Sequence, residues 1–162
     1  SQGVIKVETR AEYLTEATRL LEKSELIIAQ EFMPTEFDWR IGVFNRRALY
    51  ACRYYMVGGH WQILQHGQSG LPREGRTEGV PLDQVPAHIV ATALKVSNLI
   101  GNGLYGVDLK EVGSRIYVME VNDNPNIDHG VEDTALGMEL YLEIMRGLLA
   151  RVEERKGERK PR

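Results

Sequence analysis

Gly106-Val107-Asp108-Leu109 and Glu120-Val121-Asn122-Asp123-Asn124-Pro125 are the two runs that decide how this chain folds. They belong to apolar-rich stretches, Tyr105 to Val112 and Ile116 to Val121, with Gly113-Ser114 between them. Two such stretches around a tight turn predict a β-hairpin. Strand side chains alternate faces, so Glu120 and Asn122 project to one side, and Asp108 is expected across from them. Two carboxylates and a carboxamide oxygen are hard donors, which suit Mg²⁺ or Mn²⁺ better than a soft metal. Carboxylates among apolar strand residues also need a cation or hydrogen-bond donors to offset desolvation. A plainer alternative stays open: solvent-facing acids followed by a turn, since Asn, Asp and Pro favour turns.

Working outward, Phe37 to Phe44 and Ala48 to Met56 read as strands around Asn45-Arg46-Arg47, and Trp61 to Leu64 as a further strand. Leu26-Ile27-Ile28-Ala29 reads as a buried strand and Val4 to Val7 as a strand end. Gln30-Glu31-Phe32-Met33-Pro34 follows the buried run. Backbone groups just past such a strand cannot all pair in a sheet, so they can hydrogen-bond a planar heterocycle. Asp38 and Arg40 stand two apart and face the same way, a ribose acceptor beside a guanidinium for phosphate or carboxylate. A simple salt bridge between them is the alternative.

Thr9 and Glu12 have capping-box spacing, predicting a helix from about Ala11 to Lys23 with Leu14, Ala17 and Leu21 on its apolar face. Gly67 to Gly79 reads as a polar loop. A second helix starts near Pro86 and carries Ile89, Val90, Ala93, Leu94 and Ile100. A last helix has Leu136, Leu140, Ile144, Leu148 and Val152 at fourfold spacing, a core-facing stripe. Strand pairs joined by short turns favour an α+β fold, an antiparallel or mixed sheet with helices packed on one face.

The chain has 162 residues, 43% hydrophobic and 27% charged, enough for one domain or a large piece of one. No apolar run approaches a membrane span, and the first residues do not form a signal peptide. A single cysteine, Cys52, excludes a disulfide framework and fits a reducing, cytoplasmic compartment. Residues 151–162 carry net +3 and the rest −6, so the acidic body argues against a nucleic-acid surface. The basic end reads as a frayed helical tail.

Gln30-Glu31-Phe32, Asp38-Trp39-Arg40, Gly106-Val107-Asp108 and Glu120 to Pro125 occur in the order and approximate spacing of ATP-grasp ligases. The chain most resembles the RimK branch, the glutamate ligase that modifies a ribosomal protein. The likeness runs from Ser1 to about Leu149, and residues 1–150 resemble the C-terminal portion of an ATP-grasp domain. The resemblance implies a carboxylate–amine ligase using ATP and Mg²⁺ (or Mn²⁺), acting on an amino-acid or peptide carboxylate and an amine. It implies that Gln30, Glu31 and Phe32 form the adenine hinge, and that Asp38 touches the nucleotide. Arg40 would contact the phosphate or acyl phosphate, with Arg53 a further phosphate contact. Asp108, Glu120 and Asn122 would hold two Mg²⁺ ions, Glu120 bridging them.

His60 and Gln62 stand where the family often has an acid and an arginine. Ser1-Gln2-Gly3-Val4 resembles the tail of the family's glycine-rich loop. The chain therefore reads as a partial domain, with the upstream subdomain and its lysine missing and the isolated piece inactive. A regulatory nucleotide-binding or partner-binding module is the alternative function, and self-association stays open.

Overall fold

The computed structural model describes residues 3–57, 64–66 and 72–158. They fall into two compact units, Ser1–Pro34 and Thr35–Arg162. In the first, α1 (Arg10–Leu21) begins at Thr9, whose side chain accepts from the Glu12 N–H while Glu12 accepts from the Thr9 N–H. This is the expected capping box, which satisfies two backbone donors that the first turn leaves over. None of its residues is buried. The expected strand at Leu26–Ala29 does not form, nor does one at Val4–Val7. Leu26 and Ile28 are 78% and 86% exposed. An apolar run becomes a strand only where a neighbour completes its hydrogen-bond ladder, and among the described residues none does.

The second unit is built on five strands: β1 (Phe37–Phe44), β2 (Arg47–Tyr55), β5 (Thr77–Gly79), β6 (Leu104–Val112) and β7 (Arg115–Asn122). They run antiparallel in the order β5-β2-β1-β6-β7. In a separate pair, β3 (Leu64–His66) begins at the last residue of the predicted third strand, and β4 (Pro72–Glu74) lies in the stretch read as loop. That stretch also supplies β5, so most of its described part is strand rather than loop. Trp61 and the predicted start of a third strand lie outside the described residues.

The β1–β2 connection is tighter than expected. Asn45 and Arg46 both have positive φ, +50° and +61°, the two-residue turn whose twist matches a hairpin. Asn tolerates that conformation, whereas Arg there is held against its preference. Arg46→Gly is therefore expected to raise the unfolding free energy by about 0.5–1 kcal/mol in urea titrations. A less stable variant would show that the turn carries no strain.

One sheet face packs on α2 (Ala87–Ile100) through Trp39, Ile41, Val107 and Leu109 against Ile89 and Ala93. The expected helix is there, though Ile100 is 56% exposed. On the opposite face α3 (Met138–Glu158) lays Leu140 and Ile144 against Tyr50 and Cys52. Helices thus cover both faces rather than one. The expected stripe on α3 is buried only in part, because Leu136, Leu148 and Val152 are 42%, 42% and 47% exposed. That face carries the polar row of Arg40 and Asp108, and its apolar surface toward α3 lies around Tyr50, Cys52, Phe44 and Leu104. The helix continues unbroken past Arg151, which stacks on Phe44 and donates to Asn45.

Candidate functional site

Register determines which side chains share the polar face. Arg40 lies opposite Asp108 on β6 and opposite Cys52 on β2, and Asp108 lies opposite Glu120 on β7. Gly106 pairs with Gly42 on one side and Asn122 on the other. Arg40, Asp108 and Glu120 therefore form one row across three strands, with Asn122 two residues along from Glu120.

A β-bulge makes this row possible. From the turn, Val112 pairs with Arg115 and Leu109 with Val118. Continued unchanged, that register would set Asp108 against Met119 and point Glu120 to the α2 face. The shift between Asp108 and Leu109 leaves Met119 as the extra residue, so Asp108 meets Glu120. A bulge that re-aims side chains is a recurrent device beside functional sites. The expectation that Asp108 lies across from Glu120 holds only because of it.

Two glycines flatten the same face. A Cβ at Gly42 would lie 2.1 Å from the Tyr50 ring, and one at Gly106 would lie 2.9 Å from the Pro125 Cβ. The loop after β7 therefore rests directly on the sheet at Pro125. Asn122 also closes the start of that loop, its Oδ1 accepting from the Asn124 N–H at 2.9 Å.

The charges on this face pair across strands. Arg40 donates from Nε and Nη2 to the two Asp108 oxygens at 2.7 and 2.8 Å. The hydrogen bond to Asp108 raises the Arg40 pKa although burial opposes it. One step along, Lys110 donates to Asp38 at 2.6 Å, and Thr35 donates to Asp38 at 2.8 Å. Asp38 and Arg40 do share a face, but each is paired with β6 rather than with the other. The signs alternate, so a two-residue slip of β1 on β6 would bring Arg40 against Lys110. The ladder thus specifies register as well as a site.

Glu132 and Asp133, in the loop after Pro125, are buried acids. Tyr54 donates to Glu132 in a short hydrogen bond, the Asp128 N–H donates to it at 2.8 Å, and Arg40 Nη1 stands 4.0 Å away. Burial, then the bond to Glu132, raises the Tyr54 pKa and keeps its hydroxyl protonated. Asp133 accepts from the Gly130 N–H at 2.7 Å and from the Tyr141 hydroxyl at 3.3 Å, and shares a 2.8 Å bond with His129 Nδ1. The bond with His129, then that from Gly130, lowers the Asp133 pKa. The stability this gives is present above the ordinary carboxylate range and is lost as pH falls through the lowered value.

Sequence reasoning missed Glu132, Asp133, Tyr54 and Lys110. The one signal was local, an acid four residues after Asp128 and another three after Gly130. Long-range partners such as Tyr54 leave no such trace.

Arg53 is not with the others. It pairs in register with Trp39, on the α2 face, where its guanidinium lies over the Phe37 and Trp39 rings and 3.7 Å from Glu78. Its expected place facing the site fails on strand parity, because it is one residue from Cys52. Gln30, Glu31 and Phe32 lie in the first unit, exposed and outside any regular element, with Lys6 over the Phe32 ring. His60 and Gln62 lie outside the described residues. His129 is 95% exposed. Cys52 is fully buried, and burial pushes its thiol up to about 12, so it is a core residue rather than a nucleophile.

Among the described residues no three acidic, histidine or cysteine side chains gather to hold a metal. The row offers two carboxylates and a carboxamide, and none of the described residues hydrogen-bonds the exposed Glu120 carboxylate. That donor set fits Mg²⁺, which keeps water or phosphate in most positions.

The sequence of a probable alpha-L-glutamate ligase from Rhodopirellula baltica is 31% identical over 134 residues, 80% of this chain and 30% of that protein. The chain resembles part of an ATP-grasp ligase. It spans 30% of that relative's length. The D-alanine–D-alanine ligase from Bacillus anthracis superposes with a TM-score of 0.59 at 17% identity, over 91% of this chain and 51% of that one. The antiparallel sheet with its helices is thus an ATP-grasp-like fold. The ATP-grasp ligase PsnB, solved with a phosphomimetic precursor variant, Mg and ADP, matches at TM-score 0.46 and 18% identity, over 71% and 34%. No family model matches the chain. No helix among the described residues is long and apolar enough to cross a membrane.

Proposed function

We propose that the chain is the metal- and nucleotide-holding part of an ATP-dependent carboxylate–amine ligase that works through an acyl phosphate. The observation that supports this best is the row Arg40–Asp108–Glu120, with Asn122 beside it, on one sheet face. Asp108, Glu120 and Asn122 would hold Mg²⁺, which supplies charge neutralisation to the ATP phosphates. Arg40 would donate from its unused Nη1 hydrogens to an oxygen of the transferred phosphoryl group. Asp38 would reach the nucleotide while still bonded to Lys110; separately, the backbone at Gln30, Glu31 and Phe32 in the first unit is proposed as an adenine contact.

In the reaction, an oxygen of the substrate carboxylate attacks the γ-phosphorus and ADP leaves. The amine then attacks the acyl carbon, phosphate departs, and the nitrogen loses a proton to give the amide. Phosphoryl transfer asks for positioning and charge stabilisation more than for a protein nucleophile, and this face offers both signs of charge. A reduced, buried Cys52 accords with a cytoplasmic setting.

The test is ADP, phosphate and amide formation by the full-length protein with ATP, Mg²⁺ and a panel of amino acids and acceptor amines. Stoichiometric release of all three products supports the proposal. Nucleotide binding without any product, across the panel, would leave a binding module and overturn it.

A further inference from the structure

The Arg40 guanidinium is enclosed on three sides. Asp108 takes its Nε–Nη2 edge, the Tyr54 ring lies against its face with 4.9 Å between guanidinium carbon and ring centroid, and Glu132 stands at the Nη1 edge. Glu132 is only 1% exposed. It also accepts from the Tyr54 hydroxyl and the Asp128 N–H. One buried carboxylate thus touches the aromatic wall, the loop after β7 and the field around the arginine.

The 4.0 Å gap to Nη1 is too long for a hydrogen bond. Glu132 therefore attracts Arg40 by charge without consuming the Nη1 hydrogens. Among the described residues Nη1 donates to no other group. Arg40 is left oriented at one edge and able to donate at the other. A buried carboxylate kept at this distance stabilises the cation without competing for the donors that a substrate oxygen would use.

We propose that Glu132 is a positioning residue for the ligase reaction: it fixes Arg40 and ties the loop that follows Asn122 and bears Pro125 to the sheet, without touching substrate. The inference rests on the ligase reading, and its consequences can be separated from that reading. With Glu132 neutralised, Arg40 keeps its bonds to Asp108 but loses the charge at its other edge, so Nη1 drifts from the position where the phosphoryl oxygen passes.

The experiment is Glu132→Gln in the full-length protein, beside Tyr54→Phe, with steady-state kinetics, melting curves and NMR relaxation of the Arg40 guanidinium. Glu132→Gln is expected to lower kcat about ten- to a hundredfold, the scale of a small misplacement at a reacting group. KM for ATP and the melting temperature should stay near their wild-type values, and the Nη1 end of the Arg40 guanidinium should become more mobile while the Nε–H, held by Asp108, does not. Tyr54→Phe should shift kcat the same way by less, and the double variant should be no worse than Glu132→Gln alone.

Unchanged kcat in Glu132→Gln, with the wild type active, would overturn the proposal while leaving the ligase reading intact. A loss of kcat that tracks a lower melting temperature in both variants would reduce Glu132 to a structural part and also overturn it. If the wild type makes no product, the ligase reading fails, and unchanged mobility at the Nη1 end of Arg40 in Glu132→Gln would independently refute the positioning role.

Discussion

Glu120→Gln is expected to abolish ATP turnover by the full-length protein while leaving its melting temperature unchanged. The substitution keeps the side chain's size and shape and removes one negative charge. Glu120 is exposed, and none of the described residues hydrogen-bonds its carboxylate, so folding loses no partner. What is lost is a metal donor directly opposite Asp108. Asp108 already gives both oxygens to Arg40, so it cannot take over the whole metal-binding role. Losing one element of preorganised electrostatic stabilisation typically lowers turnover by about 10²–10³-fold. Removing the ligand that would bridge the ions should do at least as much. The measurement is ADP release against Mg²⁺ concentration. Near-normal turnover at limiting Mg²⁺ would show that the carboxylate has no part in holding metal.

That prediction also marks where the sequence was legible. The capping box at Thr9, the hairpin around Gly113-Ser114 and the helix after Pro86 depend on neighbours close in the chain, and they formed close to their expected bounds. Strand alternation, a local rule, put Asp38 with Arg40 and Glu120 with Asn122 on shared faces. Failures begin where a distant partner decides. Leu26-Ile27-Ile28-Ala29 has strand composition but no described ladder to join. The face Arg53 takes depends on the register, and one residue of phase puts it on the α2 side. The bulge at Met119 leaves no mark in composition or periodicity, yet it turns Glu120 toward Asp108. Glu132 leaves no signal beyond its spacing from Asp128, because Tyr54 and Arg40 are remote in sequence.

Removing Arg40 should be far more damaging to stability than removing a surface arginine. Arg40→Ala leaves Asp108 and the buried Glu132 facing each other without their shared cation. Breaking a buried pair by deleting one partner typically costs about 3–5 kcal/mol, because an uncompensated charge remains inside. Partial exposure of Asp108, 22% at its side chain, places the expected loss toward the lower end of that range. Arg146 provides the control. It pairs with Glu139 and Glu143 on α3, with all three side chains at least half exposed. Exposed helix pairs are worth only about 0.3–0.5 kcal/mol, so Arg146→Ala should barely move the denaturation midpoint. If uncompensated charge is the cause, Arg40→Met combined with Asp108→Leu and Glu132→Met should recover much of the loss, although the protein would then be inactive. Urea titrations of the four proteins decide the matter. Equal, small losses for Arg40→Ala and Arg146→Ala would mean that the row across β1, β6 and β7 is solvated in solution, and that neither register nor site depends on its central cation.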